Sequence, residues 1–128
     1  MAKIAILSNK SFNGVAFGTS RNEIRKIFGE YTEFKKSTFS IETTDDFGDF
    51  HCYYKNERLI AVEVFNIDSL YIDGIKVEST FTPKELDIFA SDIKEDYGSY
   101  ISESKSLGFS FDNGIVESVL TGKDGYYK

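Results

Sequence analysis

The chain has no tryptophan, one cysteine and one histidine, and each shortage removes a class of chemistry. Cys52 alone cannot form an intrachain disulfide, which fits a reducing compartment. His51 and Cys52 together are too few ligands for an ordinary structural zinc site. They are neighbours in Phe50-His51-Cys52-Tyr53-Tyr54, a run that reads as a strand, in which adjacent side chains point to opposite faces. A Cys–His nucleophilic pair is therefore not expected. Cys52 belongs in the core beside Phe50 and Tyr54, and His51 belongs with Tyr53 on the other face.

Long apolar runs are missing too. Ile4-Ala5-Ile6-Leu7 is far too short for a secretion core or a membrane span, so no signal, span or lipid anchor is expected and cytoplasm is the default. The glycines do not build a phosphate-cradling loop, because Gly14-Val15-Ala16-Phe17-Gly18 is not followed by Lys-Ser/Thr. No basic stripe interleaves with the aromatics as a nucleic-acid platform requires; Arg21, Arg25, Lys26, Lys35 and Lys36 read as solvated helix and loop. Asp68, Asp73 and Glu78 lack the spacing of a calcium loop. With no nucleophile, base and orienting group in sight, neither metal, cofactor nor catalytic residue is assigned.

What is present is the balance of a folded protein. At 128 residues, 41% hydrophobic and 28% charged, the chain can form one domain over 1–128 with its own core. Eight Tyr and twelve Phe make that core aromatic. The net charge of −6 disfavours phosphate backbones and anionic membranes. Its distribution is uneven: residues 1–64 carry nine acids and nine bases, and residues 65–128 carry twelve acids and six bases. Such a surface is either simply solvated or shaped for a basic protein partner.

Two helices are predicted by their caps. Ser20 with Glu23 forms a capping box, Ile24, Ile27 and Phe28 supply an apolar stripe, and Gly29 supplies the stop. The second runs over Thr82–Tyr97, with Thr82 as cap, Pro83 at the first position, Glu85 completing the box, and Leu86, Phe89, Ala90, Ile93 and Tyr97 on one face before Gly98. Phe47–Tyr54 and Leu59–Phe65 read as a hairpin with Ile60, Val62 and Val64 on one face. Phe109–Phe111 and Ile115–Leu120 read as another around Asp112-Asn113-Gly114. Further strands are expected at Ile4–Leu7, Phe39–Ile41 and Tyr71–Val77, the last divided by Asp73-Gly74. The order helix, Gly-x-Tyr, linker, hairpin is used twice, either by duplication or through shared packing demands. The expected fold is α+β: one antiparallel sheet with both helices on one face and the other face open.

The segment Gly-Thr-Ser-Arg-Asn-Glu-Ile-Arg-Lys-Ile-Phe-Gly at 18–29, then Phe47-Gly48-Asp49-Phe50 and Leu107-Gly108-Phe109-Ser110-Phe111, resembles the small immunity proteins encoded beside bacterial contact-dependent or polymorphic toxins. The likeness spans roughly 18–120. The 18–29 segment is also similar to the start of small outer-membrane assembly lipoproteins, whose signal and lipidated Cys this sequence lacks. The first resemblance implies a cytoplasmic inhibitor that binds a cognate toxin domain, often a nuclease with a basic cleft, and it carries over no catalytic residue. The acids placed to steer such a partner are Asp68, Asp73 and Glu78 around a Tyr71 anchor, with Asp92, Glu95 and Asp96 on the second helix. Two other classes stand beside it: a regulatory or scaffold homodimer joined through the exposed sheet face, and a small enzyme using surface carboxylates.

Overall fold

Ser20 starts a helix as its sequence requires. In the computed structural model, which describes residues 3–128, the Ser20 hydroxyl accepts the Glu23 N–H at 3.4 Å. Helix α1 then runs Arg21–Phe28, and Gly29, at a φ of 87°, returns its N–H to the Arg25 carbonyl. Ile24 is fully buried, but Ile27 is half exposed, and Arg21 takes the second buried position.

Nearly all the other regular structure is strand. Before the helix come β1 (Ile4–Leu7), β2 (Ser11–Phe12) and β3 (Val15–Ala16). After it come β4 (Thr32–Phe34), β5 (Thr44–Asp46), β6 (Phe50–Lys55), β7 (Arg58–Val64), β8 (Leu70–Ile72) and β9 (Ile75–Lys76). The chain closes with β10 (Lys94–Asp96), β11 (Ser99–Ser102), β12 (Leu107–Asp112) and β13 (Ile115–Gly122). They form a five-stranded sheet in the order β3-β2-β1-β8-β9 and an eight-stranded sheet in the order β10-β11-β12-β13-β7-β6-β5-β4. β1 and β8 pair in parallel, and the other pairings between these strands are antiparallel.

This mostly β architecture overturns the expected α+β plan of one sheet with two packed helices. The second helix does not form over Thr82–Tyr97. Its start is correct: the Thr82 N–H donates to the Glu85 carboxylate at 2.9 Å, and Leu86 is fully buried. The result is a 3-10 turn over Pro83–Ile88 that goes no further. Asp92 draws the chain aside, accepting the Ser102 hydroxyl at 2.5 Å and the Ser104 N–H at 2.9 Å. Lys94–Asp96 then pairs with β11, and Tyr97-Gly98, at φ of 49° and 85°, forms a hairpin turn and not a helix stop. Gly29 and Gly98 thus do different work, and the unit of helix plus hairpin is not repeated. The strand expected at Phe39–Ile41 is also absent; those residues lie in a loop, with Phe39 and Ile41 almost wholly exposed.

The remaining hairpins fall where the sequence puts them. Asn56 and Glu57 turn β6 into β7, and Asn113-Gly114 turns β12 into β13. A bulge opposite Tyr53/Tyr54 rotates Ile60 off the core face, so Leu59 joins Val62 and Val64 there instead. Phe50, Cys52, Phe109 and Val119 complete the inner face of the large sheet. Phe12 from the small sheet meets Phe50 at 4.7 Å between ring centres, and Phe89 stacks on Phe109 at 5.7 Å. The inner face is thereby covered, and function must be sought on the outer one.

Candidate functional site: the outer face of the large sheet

Residues directly opposite one another in antiparallel strands share a face. The register therefore lays Asp46, His51, Glu63, Leu120, Gly108 and Ile101 in one row across the outer face. A flanking row holds Thr44, Tyr53, Ala61 and Gly122, and another holds Ser118, Ser110 and Ser99.

The C-terminal segment packs onto part of this face. Tyr126 lies against Gly122, and Tyr127 reaches Gly108; a Cβ at Gly108 would fall on the Tyr127 hydroxyl, and one at Gly122 would come within 2.5 Å of the Tyr126 ring. These two glycines are needed for the room they leave, since neither has a positive φ. The C-terminal segment, which reads in sequence as a frayed tail over 122–128, is thus anchored by its aromatic rings.

At the centre stands Glu63, half-buried. Tyr53 donates its hydroxyl to Glu63 Oε1 at 2.6 Å, and Ser118 donates to Oε2 at 2.8 Å. Burial, then the bond and charge of Glu63, pushes the Tyr53 hydroxyl well above the ordinary tyrosine range. Burial and the Glu63 charge also raise Tyr126, and Tyr127 is raised by burial, Tyr126 and Glu63. Among the described residues no cation forms an ion pair with Glu63. Each carboxylate oxygen keeps a free lone pair, so the group can accept further donors.

Aromatic walls stand beside it. His51 sits edge-on between Phe34 at 5.2 Å and Phe65 at 4.6 Å, with Asp46 3.5 Å from its Nε2. Lys36 places its ammonium 4.6 Å from the Tyr53 ring centre, bringing the 35–43 loop onto this face. Phe39 and Ile41 of that loop line a groove with Tyr54, Lys55, Asn56 and Ile60.

Under α1 lies a second polar cluster, of a different kind. Asp45 has no exposed surface and accepts from Arg21 at 2.9 Å, Arg25 at 2.8 Å and the Tyr54 hydroxyl at 3.0 Å. Burial would push this carboxyl up, but the bonds from Arg25, Arg21 and Tyr54 outweigh it and hold it at about 2. Arg21 continues to Thr43 and Glu57, and Arg25 to Glu33. Every charge in the cluster has a partner, and it ties α1 to β5 and β6. Its part is structural.

Cys52 and His51 point to opposite faces, as alternation requires. Burial, then the Asp45 charge, raises the Cys52 thiol to about 12, leaving it protonated at neutral pH. Among the described residues no group of three or more His, Cys, Asp or Glu is placed to hold a metal ion.

The seven acids and aromatics expected to meet a partner do not form one patch. Asp68, Tyr71, Asp73 and Glu78 belong to β8, β9 and their flanks in the small sheet. Asp73 is occupied internally, accepting the Ser8 N–H at 2.9 Å and its hydroxyl at 2.6 Å. Tyr71 lies under the Lys3 and Lys76 ammonium groups, at 4.5 and 6.0 Å. Asp92, Glu95 and Asp96 lie at the edge of the large sheet, not one turn apart on a helix. Asp92 is held by Ser102 and Ser104, which lower its carboxyl. Asp96 lies opposite Ser99 and so shares the outer face with Glu63; Glu95 faces the other way. Glu63 itself was missed. Its signal was an acid interrupting the apolar run Ala61-Val62-Glu63-Val64 in a central strand.

Comparison with protein-family models, with curated proteins and with solved structures finds no match for this chain.

Proposed function

We propose that the chain is a stoichiometric binding protein that captures a partner on the outer face of its large sheet, with Glu63 as the anchor for a basic side chain. The observation that carries this is a half-buried carboxylate on a central strand, bonded to Tyr53 and Ser118, with no cation paired to it among the described residues. Placing an unpaired charge there costs folding free energy, and an incoming guanidinium or ammonium offsets that cost. Tyr53, His51 and Phe65 supply the rigid aromatic surround of an interface centre. Phe39 and Ile41, 92% and 97% exposed, supply apolar contact at the rim.

The immunity resemblance names the kind of partner: a toxin domain with a basic surface, neutralised by being covered, in the cytoplasm. The exposed acids Asp96, Glu95, Asp68 and Glu78 then act at longer range, raising the association rate.

The test is titration calorimetry with the purified toxin domain encoded next to this gene. Tight binding at one-to-one stoichiometry, weakened roughly tenfold to a hundredfold by Glu63→Gln, supports the reading. No binding by the wild type removes the toxin partner. A sizing-column mass that doubles with concentration and returns to that of the monomer in Glu63→Gln would favour the homodimer.

A further inference from the structure

Lys55 and Arg58 face one another directly across the end of the β6–β7 hairpin. Like charges in opposed positions of a ladder repel, which destabilises the hairpin unless something lies between them. Lys123, at the end of β13, is drawn to the same place, because its N–H donates to the Ile60 carbonyl at 2.9 Å. The three cations line a cleft of about 500 Å³ whose other walls are Phe17, Leu59 and Ile60, with the Gly18 and Asn56 backbone at its edge.

In a chain of net charge −6, this cleft contains no acid. Asp124, next to Lys123 in sequence, is exposed and does not line the cleft, and two other nearby acids are engaged elsewhere. Glu57 pairs with Arg21 at 3.0 Å, and Glu42 accepts the Asn56 N–H at 2.5 Å in the neighbouring groove. Among the described residues none of the three cations has an ion-pair partner; Arg58 donates only to the Gly18 carbonyl, at 3.1 Å. The volume lies within the usual range for a small-molecule site, and the lining is the usual one: an apolar floor with a few converging polar groups.

We infer that this cleft binds a small anion carrying a flat apolar body, the anionic group held by Lys55, Arg58 and Lys123 and the body lying on Phe17 and Ile60. Either a phosphate monoester or a carboxylate satisfies that chemistry. The inference does not rest on what occupies the outer face around Glu63, although Lys55, Asn56 and Ile60 also line the groove beside Phe39 and Ile41, and its failure would leave that reading untouched.

The experiment titrates the ¹⁵N-labelled full chain with inorganic phosphate, benzoate and adenosine monophosphate. Saturable shifts are expected at the amides of Gly18, Asn56, Ile60 and Lys123. Benzoate or the nucleotide should bind roughly tenfold more tightly than phosphate, since only they cover the floor. The stronger of the two identifies the anionic group as carboxylate or phosphate. Lys55→Gln and Lys123→Gln, both at exposed positions, should each weaken binding roughly tenfold. Lys26→Gln, on α1, removes the same charge and should change nothing. Linear shifts spread over the surface, equal weakening by Lys26→Gln, or phosphate binding as tightly as the other two would overturn the inference.

Discussion

Asp45 is a residue on which stability and its pH dependence turn. It is fully buried between two guanidinium groups, and its carboxyl is held at about 2 against a usual 3.8. A depressed folded-state value means the contribution is fully present above pH 4 and is lost as pH falls from about 4 through about 2. The amount is on the order of 2 kcal/mol. Asp45→Ala leaves Arg21 and Arg25 without their shared carboxylate and should cost about 3 to 5 kcal/mol. Urea melts of the parent at pH 7 and pH 2.5 should show a stability difference that Asp45→Ala reduces. An equal difference in both proteins would mean that other carboxylates carry the acid response. Phe89→Asp should be comparably damaging, on the order of 3 to 5 kcal/mol, and leave the protein unfolded or insoluble. The reason is now its stacking on Phe109 in the core, not membership of a helix. A dispersed NMR spectrum with an unchanged melting temperature would contradict that. Cys52 and His51 were legible at this scale because period-two alternation alone separates them. The Asp45 cluster was not, because Arg21 and Arg25 meet it only through tertiary contact, 24 and 20 residues away in the chain.

Among the elements, those set by local chemistry were readable. Asn113-Gly114 turns a hairpin because both positions need positive φ, and Ser20 caps α1 because its hydroxyl reaches the Glu23 N–H. The second helix failed on the same kind of detail. Leu86, Phe89 and Ala90 are buried as a helical stripe would have them, but the periodicity lasts barely one turn. Asp92 then finds Ser102 and Ser104, and Tyr97-Gly98 makes a hairpin turn whose Gly looked like a helix stop. A long-range pairing partner for Lys94–Asp96 cannot be read from three charged residues. The tail shows the converse: two tyrosines are costly in a tail that packs against nothing, but the seats of Tyr126 and Tyr127 at Gly122 and Gly108 follow only from the register. Gly122→Ala should displace Tyr126 and release the segment after Gly122, with a loss of about 1 to 3 kcal/mol from overpacking. Amide exchange should rise at Tyr126 and Lys128, whose N–H groups close the terminal turns. Unchanged protection there would show that the ring is not seated on the sheet. In the exposed loop, the double change Phe39→Ser and Ile41→Ser should leave the melting temperature within about a degree or two while weakening partner capture, because neither side chain supports the core. A large drop in melting temperature would place them inside instead.

For the whole molecule, the charge imbalance beyond residue 64 was visible from the start, but its geometry was not. Of the acids expected to meet a partner, Asp68, Asp73 and Glu78 lie about β8 and β9 in the small sheet and Asp92, Glu95 and Asp96 in or beside β10, so they can steer a partner without forming its seat. Reversing Glu95 and Asp96 should slow association at low salt and matter little at high salt, since exposed charges are screened. Glu63 should behave differently, because its carboxylate is half-buried and tied to Tyr53 and Ser118, and in the proposed binding mode is contacted only after docking. The decisive measurement is stopped-flow association and dissociation with the toxin domain, comparing the parent, Glu63→Gln and the Glu95→Lys/Asp96→Lys pair at low and high salt. Expected is faster dissociation by roughly tenfold or more in Glu63→Gln at both salt concentrations, with the charge-reversed pair altered chiefly in low-salt association. Dissociation unchanged in Glu63→Gln, with binding abolished by the β10 reversal at both salt concentrations, would move the binding site from the outer face to the sheet edge.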